Sequence, residues 1–254
     1  MAQVKKIVVV GASSAIAEHC ARLWVASEHF PPPEEMILIG RNQLKLNAIA
    51  ADLQVRAPRM SVRTRTAHFL DAAAIYSLAD ECTQSGPADI VLIAHGILAE
   101  QELCQKELQS CRTALDINGI SPVLFAEAFA GQMEQAGRGV LIILSSVAGD
   151  RGRKSNYVYG AAKGMVSRYA QGLQHRFAST GIRVVLVKPG PTATPMTAHL
   201  QAQGMRMASV EHVAQYIVRG VERGRQTIYA PAKWAFIMLI IRHIPSALFK
   251  KLNI

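Results

Sequence analysis

Seven short runs of β-branched and aliphatic residues recur along the chain, separated by longer amphipathic stretches. Runs such as KKIVVVG and RVVLVKPG are apolar at nearly every position, which is typical of strands buried on both faces of a parallel sheet. Seven strands are therefore predicted: Val4–Val10, Met36–Ile39, Ser61–Ala67, Ile90–Ala94, Val140–Leu144, Ile182–Val187 and Thr227–Tyr229.

The stretches between these runs have the length and periodicity of amphipathic helices, for example Gln43–Val55, Ala72–Ser85 and Ala114–Gln135. Strands that alternate with helices favour a doubly wound α/β fold with right-handed crossovers. The sequence has no internal repeat, low-complexity segment or linker. We predict a single Rossmann-type domain over residues 1–230, with a substrate loop at about 193–210, followed by a tail of different composition over residues 231–254.

Composition narrows the class of function. The chain has 254 residues, 50% of them hydrophobic, and a formal net charge of +10, which suits acidic ligands, an anionic membrane surface or nucleic acid. Nucleic acid is not favoured, because the basic residues are scattered and form no aromatic-interleaved stripe. The four cysteines include no C-x-x-C pair and no metal-like cluster, so we expect reduced thiols, no metal and a cytoplasmic protein. No apolar run reaches the ~18–20 residues that span a bilayer, and the N-terminal run is too short for a secretory signal.

The candidate chemistry is concentrated in the segment LSSVAGDRGRKSNYVYGAAKG, which contains Ser146, Tyr159 and Lys163. The spacing Tyr-x-x-x-Lys places a phenol and an ammonium one turn apart on one helix face. The neighbouring cation is expected to lower the pKa of the tyrosine, so that the phenol exchanges a proton nearer neutral pH. Ser146, at the end of the preceding strand, is then placed to hold a substrate oxygen. The tyrosine–lysine pair alone also arises by chance in helices, and the serine at its distance makes the interpretation specific.

The first predicted strand leads into a turn that resembles a dinucleotide phosphate site. A glycine permits the tight turn, and the N-terminus of the next helix offers backbone N–H groups and a positive dipole end to phosphate. The pattern G-x-x-x-G-x-G carries Ala at its second and third glycines, so an ordinary strand–helix turn is an equal alternative on this loop alone. The candidate phosphate-binding residues are Gly11, Ser13, Ser14, Ala15 and Ile16.

Three further strand ends carry candidate cofactor contacts. Arg41 stands where an acidic residue would bind the ribose of NAD, and its guanidinium instead favours the 2′-phosphate of NADP(H), with an ordinary solvated arginine as the alternative. His68 and Phe69 end the third strand, where the adenine edge is expected. The fourth strand ends in Ala94, His95 and Gly96. These small residues allow close approach to a cofactor, although the histidine is also explained as a hydrogen-bonded loop residue.

Together these elements resemble the short-chain dehydrogenase/reductase family over roughly residues 4–230. The resemblance implies that Asn118, in LDINGISP, loosens its helix locally and holds a water in a proton relay with the serine, tyrosine and lysine. It also implies cofactor contacts from Tyr159 and Lys163, and from the run that wraps the nicotinamide: Pro189, Gly190, Thr192 and Thr194. Two departures concern the cofactor loops. They are the Ala-for-Gly changes after the first strand, and the Ala-His-Gly segment in place of the usual Asn-Ala-Gly.

The C-terminal part resembles one branch of that family more closely, the decaprenylphosphoryl-2-keto-ribose reductases. The likeness lies in RVVLVKPG and in APAKW followed by LIIRHIPSALFKKL. It implies an NADPH-dependent reductase that transfers hydride to the ketone of a polyprenyl-phosphate-linked sugar. We also expect a homo-oligomer, either a dimer or a tetramer. Two alternatives stay open: a reductase or dehydrogenase of a hydrophobic acyl, steroid-like or xenobiotic ketone, and an inactive NADP-sensing or scaffold protein.

The tail after Pro231 has its own pattern. Trp234–Ile241 is an apolar stretch, and cations flank the apolar residues that follow it. A tryptophan, an apolar face and flanking cations are typical of a segment that lies on a membrane surface. We therefore expect peripheral contact with the inner face of the membrane. The alternatives are that the tail packs against a second subunit or closes over the substrate site.

Overall fold

The computed structural model describes residues 4–27 and 32–252. These residues form a sheet of seven parallel strands in the order β3-β2-β1-β4-β5-β6-β7. The strands are β1 Lys6–Val10, β2 Glu35–Gly40, β3 Ser61–Thr66, β4 Ile90–Ile93, β5 Gly139–Leu144, β6 Ile182–Pro189 and β7 Thr227–Ala230. The predicted doubly wound Rossmann-type sheet is confirmed, and no strand end lies more than two residues from its predicted position.

Helices connect the strands and cover both faces of the sheet. They are α1 Ala15–Val25, α2 Gln43–Arg56, α3 Ala72–Thr83, α4 Gln101–Lys106, α5 Leu108–Leu115, α6 Ser121–Ala136, α7 Tyr157–Arg176, α8 Ala198–Ala202, α9 Val210–Glu222, α10 Lys233–His243 and α11 Ser246–Phe249.

The predicted helical stretch Ala114–Gln135 is helical over its whole length, but it is not one regular α-helix. α5 ends at Leu115, Asp116–Ile120 forms a π-helical turn, and α6 begins at Ser121. Pro122 lies in the first turn of α6, where its missing N–H interrupts the hydrogen-bond pattern of a continuous helix. The chain therefore changes helical geometry at the segment that carries Asn118.

Two hydrophobic layers enclose the sheet, because alternate side chains of each strand point to opposite faces. In β1, Ile7 and Val9 join the layer covered by α1, α2 and α9, whereas Val8 and Val10 join the layer under α3, α6 and α7. All four side chains are almost fully buried. Burial on both faces explains why this strand is apolar at successive positions, as the sequence pattern predicted.

The tail packs against the rest of the chain through one face of α10. Met238 is fully buried, and Arg151 donates hydrogen bonds to the carbonyls of Ile241 and Ile244, each at 2.6 Å. The Arg151 guanidinium also lies 3.8 Å from the centroid of the Phe249 ring. None of the helices in residues 4–27 and 32–252 is both long enough and apolar enough to cross a bilayer.

Candidate active site

A cleft of about 410 Å³ lies at the carboxyl ends of the strands, where the connections after β1 and β4 leave toward opposite faces of the sheet. Most of the predicted site residues line it: Ser13, Ser14, Ala15, Ile16, Ala94, His95, Gly96, Asn118, Ser146, Tyr159, Lys163, Pro189, Gly190, Thr192 and Thr194. The predicted residues outside this lining are Gly11, Arg41, His68 and Phe69.

Helix α7 carries Tyr159 and Lys163 one turn apart, and the Lys163 Nζ lies 5.8 Å from the centroid of the Tyr159 ring. Lys163 is almost completely buried, and its Nζ donates to the carbonyl of Leu144 at 3.3 Å. Ser145 also ties this helix to the end of β5, because its hydroxyl donates to the carbonyl of Lys163 at 2.7 Å. The phenol and the ammonium are thus fixed to the sheet edge from which Ser146 emerges.

The prediction that Lys163 lowers the pKa of Tyr159 is wrong for this arrangement. Burial raises the pKa of Tyr159 to about 12, and the hydrogen bond with Ser146 offsets this effect only in part. Burial lowers the pKa of Lys163 to about 8, because the charged ammonium is removed from water. At pH 7 Tyr159 is therefore a protonated phenol, which suits a proton donor.

Ser146 begins a short 3₁₀ turn, Val147–Asp150, and its hydroxyl accepts the backbone N–H two residues further on at 3.1 Å. Asp150 anchors the other end of the turn. Its buried carboxylate pairs with Lys188 of β6 and accepts a hydrogen bond at 2.7 Å from the hydroxyl of Tyr229 on β7. The turn that carries the serine is thus attached to the two strands beyond it.

Glycines allow the backbone of this turn to contact the backbone of α7. A Cβ at Gly149 would lie 2.6 Å from the carbonyl carbon of Lys163, and a Cβ at Gly160 would lie 2.9 Å from the carbonyl oxygen of Ala148. Sequence analysis assigned no role to these two glycines. The signal available for Gly160 was its position directly after Tyr159, inside the Tyr-x-x-x-Lys segment.

Asn118 lies in the π-helical turn and is fully buried. Its Nδ2 donates to the carbonyl of Ala114 at 2.9 Å, and its Oδ1 accepts the backbone N–H of Ile97 at 2.9 Å. A Cβ at Gly96 would lie 2.8 Å from the Asn118 Oδ1 and 3.6 Å from the Lys163 Nζ, so this position must stay small. The local loosening of the helix is confirmed, and the role of Asn118 in a water relay stays a prediction.

His95 is built into the wall of the cleft. Its ring meets those of Phe69 and Phe125 edge-on, at centroid distances of 4.7 and 5.5 Å, and its Nε2 lies 2.8 Å from the Ser121 hydroxyl. Burial lowers the pKa of His95 to about 3, so the ring is neutral at pH 7. Its Nδ1 is buried without a hydrogen-bond partner among residues 4–27 and 32–252. The ring of Phe69 packs in the core and does not face the cleft.

The turn after β1 fits a phosphate group. Gly11 has a φ of +80°, and a Cβ there would lie 2.6 Å from the backbone nitrogen of His95, so only glycine suits the position. Ser14 is the N-cap of α1, and its side chain makes no capping hydrogen bond. Ser14, Ala15 and Ile16 line the cleft, and the first backbone N–H groups of α1 have no side-chain acceptor among the residues that the structure describes, as an anion at a helix N-terminus requires. These residues fit the pyrophosphate of a dinucleotide.

Arg41 follows β2 and is exposed outside the cleft. In the part of the chain that the structure describes, its side chain forms no hydrogen bond or ion pair. The arginines of the neighbouring strand β3 differ, because Arg63 pairs with Glu35 at 3.0 Å and Arg65 pairs with Glu81. The Arg41 guanidinium is thus available to a phosphate at this end of the sheet.

The predicted substrate loop forms an apolar wall of the cleft. A bridge between Thr192 and Ala208 closes its base, and the loop contains the 3₁₀ turn Pro195–Thr197 followed by α8. The side chains of Thr194 and Thr197 form a capping box that holds this turn. The apolar lining residues of the loop are Pro195, Met196, Leu200, Met205 and Met207.

The cleft also contains residues that sequence analysis did not select. Trp234 reaches it from α10, and a side chain at Gly190 would collide with the Trp234 indole. Arg153 and Asn156 reach it from the loop between Ser146 and Tyr159. For Arg153 and Asn156, the available signal was their position between Ser146 and Tyr159 in the sequence. The approach of Trp234 to the cleft depends instead on how the tail packs.

The doubly wound sheet, the turn that fits a phosphate and the tyrosine–lysine pair in the cleft define an oxidoreductase of the dinucleotide-binding class. The family model for short chain dehydrogenases matches residues 5–204, and the chain belongs to the short-chain dehydrogenase family.

Relatives agree with this assignment. An uncharacterised oxidoreductase of Mycobacterium tuberculosis is 29% identical over 249 residues, which cover 97% of this chain and 96% of the relative. The fold is similar to that of a short-chain dehydrogenase from Sphingobium yanoikuyae in complex with NADPH, with a TM-score of 0.80 and 21% identity over 96% of this chain and 98% of that one. A short-chain dehydrogenase from Burkholderia cenocepacia in complex with NADP gives a TM-score of 0.81 and 17% identity over 99% and 98% of the two chains.

Proposed function

We propose that the protein is an NADPH-dependent ketone reductase. The observation that carries this proposal is the convergence of Ser146, Tyr159, Lys163 and Asn118 on one cleft, next to a helix N-terminus that suits phosphate. Tyr159 is protonated at physiological pH, because burial raises its pKa, and it can therefore act as the proton donor of a reduction.

A nicotinamide cofactor held in the cleft would supply the hydride in this reaction. Tyr159 donates its phenolic proton to the oxygen of the ketone as that oxygen gains negative charge. Ser146 donates a hydrogen bond to the same oxygen, and the two hydroxyls together stabilise the developing alkoxide. Lys163, one helical turn from Tyr159, would hold the ribose of the nicotinamide. Asn118 holds the water through which a proton returns to Tyr159.

The preference for NADPH over NADH rests on Arg41. A guanidinium without a protein partner at the end of β2 binds a 2′-phosphate through charge-assisted hydrogen bonds. The cations of β3 are less suited to this task, because Glu35 and Glu81 already neutralise them.

For the substrate we propose a keto-sugar linked to a polyprenyl phosphate. Support comes from the apolar loop wall, where Met196, Leu200 and Met207 offer a surface to a lipid chain, and from the likeness of the C-terminal segments to reductases of such sugars. A hydrophobic ketone without a sugar is the second candidate, because the same wall accepts an acyl or steroid-like body directly.

The tail supports a proposal of peripheral membrane contact. Helix α10 turns Met238 inward, whereas Phe236, Leu239 and Ile240 point outward and are 66%, 51% and 51% exposed. The cations that flank this face contribute about 1 kcal/mol each near an anionic surface. Trp234 lies in the cleft, so the same helix also contributes to the substrate end of the site.

Three further expectations accompany the proposal. A homo-oligomer and a cytoplasmic location stay predictions of the sequence analysis. An inactive NADP-sensing or scaffold protein is disfavoured, since the proton-transfer residues are all present and all line the same cleft.

The experiment that tests the function is NADPH oxidation with a panel of lipid-linked keto-sugars, simple hydrophobic ketones and short water-soluble ketones. Tyr159→Phe is expected to lower kcat by roughly 10²–10⁴ because only the acidic hydroxyl is lost. NADPH binding, measured by titration, should stay within a few-fold. A phenylalanine variant that retained a tenth of the normal kcat would exclude Tyr159 as the proton donor, and no turnover of any ketone would favour the inactive alternative.

A further inference from the structure

The charges that line the cleft are unbalanced. Lys163 and Arg153 contribute cations, and the described lining residues include no aspartate or glutamate. Lys163 has a role beside Tyr159 and a hydrogen bond to the carbonyl of Leu144. Arg153 has no such role in the reaction derived above. It lies on the loop between the serine and the tyrosine, on the way into the site.

The guanidinium of Arg153 forms no hydrogen bond or ion pair within residues 4–27 and 32–252. Its Nε–H is buried and donates to no acceptor there, and burial lowers the pKa of the side chain, an effect that the charge of Asp150 offsets only in part. Asp150, three residues earlier, already binds Lys188 and Tyr229. Buried charged groups in proteins are normally paired, because an unpaired one loses its hydration without compensation.

Arg151 shows how differently a second arginine of the same loop is used. It donates hydrogen bonds to carbonyls of the tail and lies on the ring of Phe249. Arg151 is thus satisfied by the protein itself, whereas Arg153 faces the cleft without an acceptor. The wall beside the cleft is apolar, so an anion that reaches Arg153 is expected to belong to a molecule with an apolar body.

We propose that Arg153 binds the anionic group, a phosphate or a carboxylate, of an amphiphilic substrate. A guanidinium pairs with two oxygens of either group through parallel hydrogen bonds, which fixes the orientation of the bound molecule. The inference rests on the proposed ketone reduction and adds the charge of the substrate to it. Arg153 is in this role a residue that positions the ketone relative to Tyr159.

Calorimetric titration of the NADP⁺-saturated enzyme tests this without turnover. The probes are decyl phosphate, decanoate and decanol, which share an apolar chain and differ in the head group. The unmodified enzyme should bind at least one of the two anions about tenfold or more tightly than decanol, as expected for a charge-assisted pair in a partly buried site. Whichever of decyl phosphate and decanoate binds more tightly identifies the anionic group of the substrate as a phosphate ester or a carboxylate.

Arg153→Gln should remove that difference, because it should weaken binding of the anion about tenfold or more and leave the affinity for decanol unchanged. Arg153→Lys, which keeps the charge but not the fork, should fall between the two. Lys154→Gln is the matched control, because it removes an exposed cation of the same loop that does not line the cleft.

Equal binding of decanol and both anions by the unmodified enzyme would overturn the proposal whether or not the variants fold. Weaker NADP⁺ binding by Arg153→Gln would also overturn it, because the arginine would then serve the cofactor. Failure of the reductase function is a separate result, namely that no ketone is reduced in a Tyr159-dependent way.

Discussion

Replacement of Lys163 by methionine is expected to stabilise the cofactor-free protein while abolishing its activity. Methionine has a similar shape and carries no charge, so it removes an ammonium that is 3% exposed. The pKa of Lys163 falls from an ordinary value of 10.5 to about 8 on folding. That change corresponds to about 3 kcal/mol of unfavourable free energy at pH values below the folded pKa.

The pH dependence separates this charge effect from the other consequences of the substitution. The unfolded chain binds more protons than the folded chain between pH 8 and 10.5, so the lysine protein gains stability as the pH rises through that range. The methionine variant lacks this contribution. The excess of its free energy of unfolding over that of the lysine protein should therefore be smaller at pH 10 than at pH 7 by roughly 2 kcal/mol. The loss of the hydrogen bond to the Leu144 carbonyl changes the free energy of unfolding by the same amount at pH 7 and at pH 10, so it does not affect the difference between them.

Urea unfolding at pH 7, 8, 9 and 10, followed by far-UV circular dichroism, measures the difference directly. Lys154→Met is the control, since it removes an exposed lysine and should not reproduce the change. If the free energies of unfolding of the lysine protein and the Lys163→Met variant ran parallel from pH 7 to 10, the buried ammonium would not be destabilising and the reasoning would be refuted.

Other substitutions test the cofactor end, the packing of the serine turn and the tail. Arg41→Asp should reverse the order of the NADPH and NADH dissociation constants, because it replaces a cation that binds the 2′-phosphate with a carboxylate that repels it. Equal dissociation constants of the unmodified protein for the two cofactors would contradict this role of Arg41. Gly149→Ala should lower the free energy of unfolding by about 1–3 kcal/mol and reduce kcat, because the methyl group meets the α7 backbone, whereas Gly152→Ala has open space and should change little. Joint replacement of Phe236, Leu239 and Ile240 by glutamine should abolish sedimentation with anionic liposomes at low salt and leave turnover of a water-soluble ketone intact. A changed oligomeric state in analytical ultracentrifugation would instead identify that face as a subunit interface.

The parallel sheet and the positions of the candidate site residues along the chain were predictable because they depend on local sequence patterns. A strand buried on both faces must be apolar at successive positions, so β1 and β6 were recognisable without any knowledge of their neighbours. The pair formed by Tyr159 and Lys163 was recognisable for a similar reason, since four residues make one helical turn. The strand-to-helix turn at Gly11 also carried a local signal, because a tight turn at a positive φ favours glycine.

The properties that depend on burial and on distant contacts were decided only by the tertiary structure. The pKa of Tyr159 rises although a lysine lies one turn away, because the packing of the β5 end and the serine turn removes both groups from water. Trp234 and Arg153 enter the cleft because the tail and the loop after Ser146 fold over the strand ends. The spacing of residues along a chain determines which side chains share a helix face, whereas desolvation depends on every segment that packs around them.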